Sequence, residues 1–225
     1  MPSKAPDMMG LERGEDWSFK REQIAHEFDK HVREQLPWYD IMSGAAAHIA
    51  RHYIPEGGTV LDLGCSTGNT GLLLEECVRT RSVSYLPVDN SGQMIDIYRG
   101  PGTPVLQDFS DPRWVIPEYD VAILFLAMMF TAPHLRPSFI ERLLASKRDG
   151  GCVIVVDKQE SHGGYIGTIM ARLTLAGKLA TGTSEVDIVT KELSLIGIQR
   201  PLDIGQFPNP VEVFRFGEFA GWVIE

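Results

Sequence analysis

Three carboxylates stand where a parallel α/β sheet presents side chains to a small ligand. Asp62 lies in the apolar run Thr59-Val60-Leu61-Asp62-Leu63-Gly64, Asp89 closes Leu86-Pro87-Val88-Asp89, and Asp108 follows Val105-Leu106-Gln107. Open parallel sheets bind ligands beyond the carboxyl ends of their strands, and an acid ending the second strand can accept from both ribose hydroxyls. An acid after the third strand can accept from the exocyclic amine of adenine, while a neighbouring backbone N–H donates to a ring nitrogen. Asp62, before the turn, can fix that turn or accept from a ligand amine. Each acid alone is an ordinary solvated loop residue. All three at successive strand ends point to a nucleoside ligand.

The turn between the first strand and its helix narrows the ligand class. Gly64 and Gly68 in Gly64-Cys65-Ser66-Thr67-Gly68 let the backbone approach a ligand closely. A dinucleotide fingerprint would require glycine at 64, 66 and 69, but Ser66 and Asn69 occupy the last two, and no Walker A lysine follows. The turn therefore suits a ligand without a pyrophosphate.

These residues need a frame, and the apolar pattern supplies one. Trp17 to Leu36 reads as a helix with Ile24, Phe28, Val32 and Leu36 on one stripe, and Tyr39 to Tyr53 as a second helix. Thereafter strands and helices alternate. Thr59 to Gly64, Ser82 to Val88, Val105-Leu106, Tyr119 to Phe125 and Cys152 to Val156 read as strands. Helices are expected at Gly71 to Arg79, Ser91 to Tyr98 with Ser91 as cap, and Pro137 to Ser146, followed by a turn at Asp149-Gly150-Gly151. Two helical stretches over about 161–203 interrupt the alternation as a small lobe, and Val211 to Ile224 closes the chain as an antiparallel hairpin around Gly217. Continuous apolar strands with intervening helices predict an α/β fold: a Rossmann-like, mostly parallel seven-stranded sheet with helices on both faces and two N-terminal helices. Residues 1–16 are expected to be a flexible start, and 17–225 a single domain.

Composition excludes several classes. Thirty acidic residues against 21 basic ones give a net charge of −9, evenly spread, which lacks the footprint of a non-specific DNA binder. Cys65, Cys77 and Cys152 are widely spaced without a CxxC pair, so neither a disulfide scaffold nor a zinc cage is expected. The longest apolar run, Val121 to Phe130, is too short to span a bilayer, and the N-terminus lacks an apolar signal core. A cytoplasmic protein is expected, with no membrane partner and no bound metal.

The order of these motifs resembles that of the class I S-adenosylmethionine-dependent methyltransferases over roughly residues 55–160. A closer resemblance, over most of the chain, is to the bacterial tRNA wobble-uridine carboxymethyltransferases, which use carboxy-S-adenosylmethionine. It rests on Phe28-Asp29, Pro37-x-Tyr39, Asp62 to Ser66, Asp89-Asn90-Ser91-x-x-Met94-Ile95 and Ser184-Glu185-x-x-Ile188-x-x-Lys191. The resemblance implies S-adenosylmethionine as cofactor and S-adenosylhomocysteine as product, with carboxy-S-adenosylmethionine as the alternative. It also implies roles. Tyr39 covers the cofactor; Gly64, Cys65 and Ser66 pass beside its amino-acid end. Asp89 and Asn90 hold the ribose, and Asp108 and Phe109 frame the adenine. Asp62, Gly68, Met94 and Phe125 complete the binding set. It further implies a homodimer in which the lobe reaches the neighbouring site.

Two positions depart from the closer pattern. Phe125 aligns where that family has Asn, and Glu192 where an Arg meets the extra carboxylate of the special cofactor. An acid there is expected to repel a carboxylate and to tolerate the positive methyl-sulfonium. The leading expectation is thus methyl transfer to an unidentified acceptor, a small molecule or RNA. The alternatives are wobble-uridine carboxymethylation and ligand binding without turnover. No Asn-Pro-Pro-Tyr, Asp-Pro-Pro-Tyr or Pro-Cys motif follows the fourth strand, so the catalytic residues are unassigned. Asp157, Lys158, Glu160 and His162 are candidate acceptor-side residues, each individually more consistent with a polar strand exit.

Overall fold

The computed structural model describes residues 22–160 and 163–225; for residues 22–27 and 31 it describes the backbone alone. Two helices, α1 (Glu22–Gln35) and α2 (Tyr39–Tyr53), precede β1 (Thr59–Leu63), α3 (Asn69–Thr80), β2 (Ser84–Asp89), α4 (Gly92–Asp96), β3 (Val105–Leu106) and β4 (Tyr119–Phe125). Then come α5 (Arg136–Ala145), β5 (Lys147–Lys158), α6 (Gly164–Ala180), α7 (Glu185–Ser194), β6 (Val211–Phe216) and β7 (Phe219–Ile224). The sheet has seven strands in the order β3-β2-β1-β4-β5-β7-β6. Its first five strands pair in parallel, and the β6–β7 hairpin adds the antiparallel edge.

Period-two alternation divides the strands between two cores. Val60, Val121, Ile123, Cys152, Ile154 and Val156 face α2 and α3. Leu61, Leu63, Ala122, Leu124, Val153 and Val155, with Trp222 of β7 on the same face, pack against α5. Ala46, Ala47 and Ala50 are buried in the first core, so α2 lies close on the sheet. On the opposite face Phe139, Ile140 and Leu143 bury the apolar stripe of α5. β1, β4 and residues 152–156 of β5 are covered on both faces, which is why these strands read as continuous apolar runs rather than alternating ones.

Several expected boundaries shift: β2 begins at Ser84 rather than Ser82, and α3 at Asn69 rather than Gly71. Asp149-Gly150-Gly151 lies inside β5, where Gly150 takes a φ of 75° and the pairing with β4 changes register between Tyr119 and Val121. The glycines make a bulge that keeps the strand running rather than a turn that precedes it. Helix α4 ends at Asp96 instead of Tyr98, because the chain turns there to send the Arg99 N–H to the carbonyl of Thr67 and the Tyr98 hydroxyl to that of Pro101. Ser91 caps α4 as expected, accepting from the Met94 N–H.

Candidate cofactor and acceptor site

The order of the strands reverses between β1 and β4, and the carboxyl ends of these strands open into one cavity of about 350 Å3. Its floor begins at the turn after β1. The N–H groups of Gly64 and Cys65 both donate to the carbonyl of Val88, at 2.8 and 3.0 Å, which bends the chain sharply over β2. Gly64 has a φ of 82°, and a Cβ there would sit 2.7 Å from that of Ala127, so the turn needs glycine twice over. Gly68, with a φ of 92°, opens α3 and lies against Gly100.

Asp89 ties two loops together. Its carboxylate accepts from the Ser66 N–H at 2.8 Å and from the Ser91 N–H at 2.9 Å. Burial pushes its pKa up, and these backbone donors oppose the shift. Asp108 accepts from the Ser110 N–H and hydroxyl through one oxygen, at 2.8 and 2.7 Å. Phe109 beside it packs on Phe139 with ring centroids 5.0 Å apart.

The cavity roof comes from α1 and α2. Asp29 accepts from the Thr67 hydroxyl and the Asn69 amide, each at 2.7 Å, and pairs with Arg99, holding α1 down on the glycine turn. Tyr39 meets Phe125 edge-on at 5.4 Å and accepts from Asn69 at 3.2 Å, and burial pushes its hydroxyl up to about 12. Leu126, next along the wall, is held at a φ of 57° while its N–H donates to Val156. That is a rare conformation for a leucine and a local store of strain.

Tyr39, Gly64, Cys65, Ser66, Asp89, Asn90, Met94, Asp108, Phe109 and Phe125 therefore line a single cavity. Asp62 and Gly68 do not. Asp62 points beneath the turn, fully buried, and accepts from the Tyr85 hydroxyl at 2.7 Å; loss of solvent pushes its carboxyl up to about 7. Its partner Tyr85 belongs to β2, and Asp62 does not line the cavity. Gly68 serves the close approach of the 98–100 segment. Among the acceptor-side candidates only Lys158 reaches the cavity wall, and His162 lies outside the described residues. Asp157 is fully buried and accepts from the N–H groups of Met129 and Lys158, so it braces the loop after β4; burial pushes it up to about 7.

The far end of the cavity holds residues that spacing alone did not assemble. Lys178 of α6 and Lys191 and Glu192 of α7 join Lys158, Gln35 and Thr174 there. The Lys178 ammonium donates to Glu192 at 2.6 Å. The repulsion expected from an isolated Glu192 is therefore corrected: a buried ammonium compensates it. Lys191 had a trace in the sequence, as the last residue of the Ser184 to Lys191 run; Lys178, on another helix, had none.

No family model matches the chain. The carboxy-S-adenosyl-L-methionine synthase of Staphylococcus epidermidis is 26% identical over 211 residues, covering 92% of this chain and 91% of that protein. The synthase of Shewanella sediminis is 28% identical over 208 residues, covering 89% and 86%. These relatives are named for making the carboxylated cofactor, not for using it on tRNA. Among solved structures, a TehB-like methyltransferase from Corynebacterium glutamicum superposes with a TM-score of 0.53 at 17% identity, covering 90% of this chain and 98% of its own. CcbJ from Streptomyces caelestis gives 0.51 at 20% identity, covering 65% and 59%. The fold is that of the class I S-adenosylmethionine-dependent methyltransferases. In this fold the cavity occupies the switch point between β1 and β4, where the glycine turn, Asp89 and Asp108 succeed one another along the carboxyl edge of the sheet.

Proposed function

We propose that this methyltransferase-fold protein transfers a methyl group from S-adenosylmethionine to an acceptor, releasing S-adenosylhomocysteine. The observation that carries the reading is the single cavity walled by the glycine turn, Asp89 and Asp108 at the switch point of the sheet. Asp89 and Asn90 hold the ribose. Asp108 and Phe109 frame the adenine. Gly64, Cys65 and Ser66 run beside the amino-acid end, and Tyr39 and Phe125 cover the sulfonium. Methyl transfer is an in-line displacement governed mainly by positioning, which a rigid strand-end site supplies.

The names of the curated relatives favour a second reading, in which the carboxylated cofactor is formed or held in the same cavity. Lys158, Lys178 and Lys191 at its far end suit an added carboxylate. Methyl transfer remains the leading reading, because it requires only the cofactor-binding features that the fold supplies. The protein acts in the cytoplasm as a homodimer. Support for the dimer comes from apolar side chains left open on α6 and α7, among them Tyr165, Val186, Val189 and Leu193. A second copy covers that face. Mass spectrometry of the small molecules released from freshly purified protein tests the cofactor reading. S-adenosylmethionine or S-adenosylhomocysteine supports it, the carboxylated form selects the second reading, and a nicotinamide or flavin nucleotide instead overturns both.

A further inference from the structure

One wall of the cavity is not formed by the residues that frame a cofactor. Helix α1 lays Val32, Gln35 and Leu36 along it, and Leu195 after α7, Phe130 after β4 and Phe219 of β7 continue it. Apart from Gln35 these side chains are apolar, and a wall of that kind takes an apolar ligand whose orientation is fixed by a few polar contacts. The ammonium groups nearby are engaged within the protein. Lys178 donates to Glu192 at 2.6 Å, Lys158 stands 3.7 Å from Glu218, and Lys191 has an interaction of its own. An anionic acceptor has to compete with these partners, whereas an uncharged one leaves them intact.

Gln35 supplies the polar contact. It is 4% exposed, and its side-chain oxygen meets no donor among the described residues. The neighbouring Thr183 fixes which way the amide faces. The Thr183 hydroxyl has one proton, and it donates that proton to the carbonyl of Glu34 at 3.3 Å. Toward Gln35 the hydroxyl can only accept, so it takes the amide nitrogen, at 3.4 Å, and the amide oxygen is left over. A buried acceptor without a donor bears its desolvation cost unrelieved. A ligand O–H lying along the wall relieves it. Thr183 belongs to the connection between α6 and α7, so Gln35 is tied to the lobe rather than to the glycine turn beside which the cofactor runs.

We infer that the methyl acceptor is an uncharged phenol, its ring seated on this apolar wall and its O–H donated to the side-chain oxygen of Gln35. This rests on the methyltransferase reading and names its substrate class. A flat ring packs favourably against Phe130 and Phe219. A phenol also gives up its proton near pH 10, as tyrosine does, far more readily than an aliphatic alcohol. Gln35 orients and does not deprotonate, because an amide oxygen is too weak a base. With its proton directed at Gln35, the phenolic oxygen keeps a lone pair for in-line attack. That pair forms the new bond to the methyl carbon, the carbon–sulfur bond breaks with its pair returning to sulfur, and the phenolic proton passes to water.

The test begins with the protein saturated with S-adenosylhomocysteine, binding of which is measured first by calorimetry. The probes 4-ethylphenol and 2-naphthol are then titrated against 1-ethyl-4-fluorobenzene and 2-fluoronaphthalene, in which fluorine replaces the hydroxyl and cannot donate. The anion 4-hydroxybenzoate and a short RNA oligonucleotide are further arms. At least one phenol is expected to bind about tenfold or more tightly than its fluorinated partner. Gln35→Leu and Gln35→Met should each remove most of that preference while leaving S-adenosylhomocysteine binding unchanged. Equal binding of phenols and fluorinated partners by the wild-type protein, or binding of neither, overturns the inference alone. So does a preference that survives both variants, and so does tighter binding of 4-hydroxybenzoate or RNA than of the phenols. Weakened S-adenosylhomocysteine binding in both variants assigns Gln35 to the cofactor and also overturns the inference. Failure of S-adenosylhomocysteine to bind the wild-type protein overturns the methyltransferase reading itself.

Discussion

Asp89→Ala separates the two tasks assigned to this carboxylate. In the folded protein it accepts from the N–H groups of Ser66 and Ser91, at 2.8 and 2.9 Å, and the residue is only 8% exposed. Hydrogen bonds to a charged group contribute about 1.5–3 kcal/mol each. Removing this one also relieves the cost of a buried carboxylate, visible in its raised pKa. The net loss of stability is expected to be about 2–3 kcal/mol, below the sum of two such bonds. Loss of the ribose contacts should weaken S-adenosylhomocysteine by about ten- to a hundredfold, or about 1.4–2.8 kcal/mol. Asp89→Asn keeps the shape and one acceptor oxygen but turns an amide donor toward the other N–H, so both effects should be intermediate. Urea denaturation gives the first quantity and calorimetry with folded variant the second. Wild-type affinity in Asp89→Ala would refute the ribose assignment, and wild-type stability would refute the account of the two loops.

Other outcomes follow from the same geometry. Asp62 has a raised pKa, so the native state binds more protons than the unfolded chain between about pH 4 and 7, and its contribution falls as pH rises through that window. Asp62→Asn, still able to accept from Tyr85, should gain relative stability between those values, by up to about 4 kcal/mol for three pKa units; parallel denaturation midpoints at pH 4 and pH 8 would contradict this. Gly64→Ala should cost about 2–4 kcal/mol through its positive φ and the clash with Ala127, and adding Ala127→Gly should recover the part due to the clash. Light scattering should give twice the 25.0 kDa of one chain, and a monomer at micromolar concentration would reject the dimer.

Much of this architecture was legible because fully buried parallel strands leave continuous apolar runs. Tyr119 to Phe125 was bounded on that ground, Val105-Leu106 was bounded although both residues of that edge strand are exposed, and the closing hairpin around Gly217 was recognisable from its apolar flanks. Asp149-Gly150-Gly151 misled because a bulge and a turn share the same glycine chemistry. Asp62 and Asp157 show a different limit. A carboxylate at a strand end can face the ligand or lie beneath the turn, and one residue of register decides which. The pairing of Lys178 with Glu192 joins two helices whose relative placement no local pattern encodes. An aligned Arg-to-Glu exchange therefore predicted repulsion where the fold supplies its own counter-charge.

The measurement that bears most directly on the central claim is a calorimetric titration of the wild-type protein with S-adenosylhomocysteine, set beside NAD and ATP under the same conditions. The account predicts saturable one-to-one binding of S-adenosylhomocysteine in the micromolar range, about −8 kcal/mol, and no comparable binding of the two pyrophosphate-bearing nucleotides. Binding of NAD or ATP in its place, or no binding of S-adenosylhomocysteine by folded protein, would contradict it.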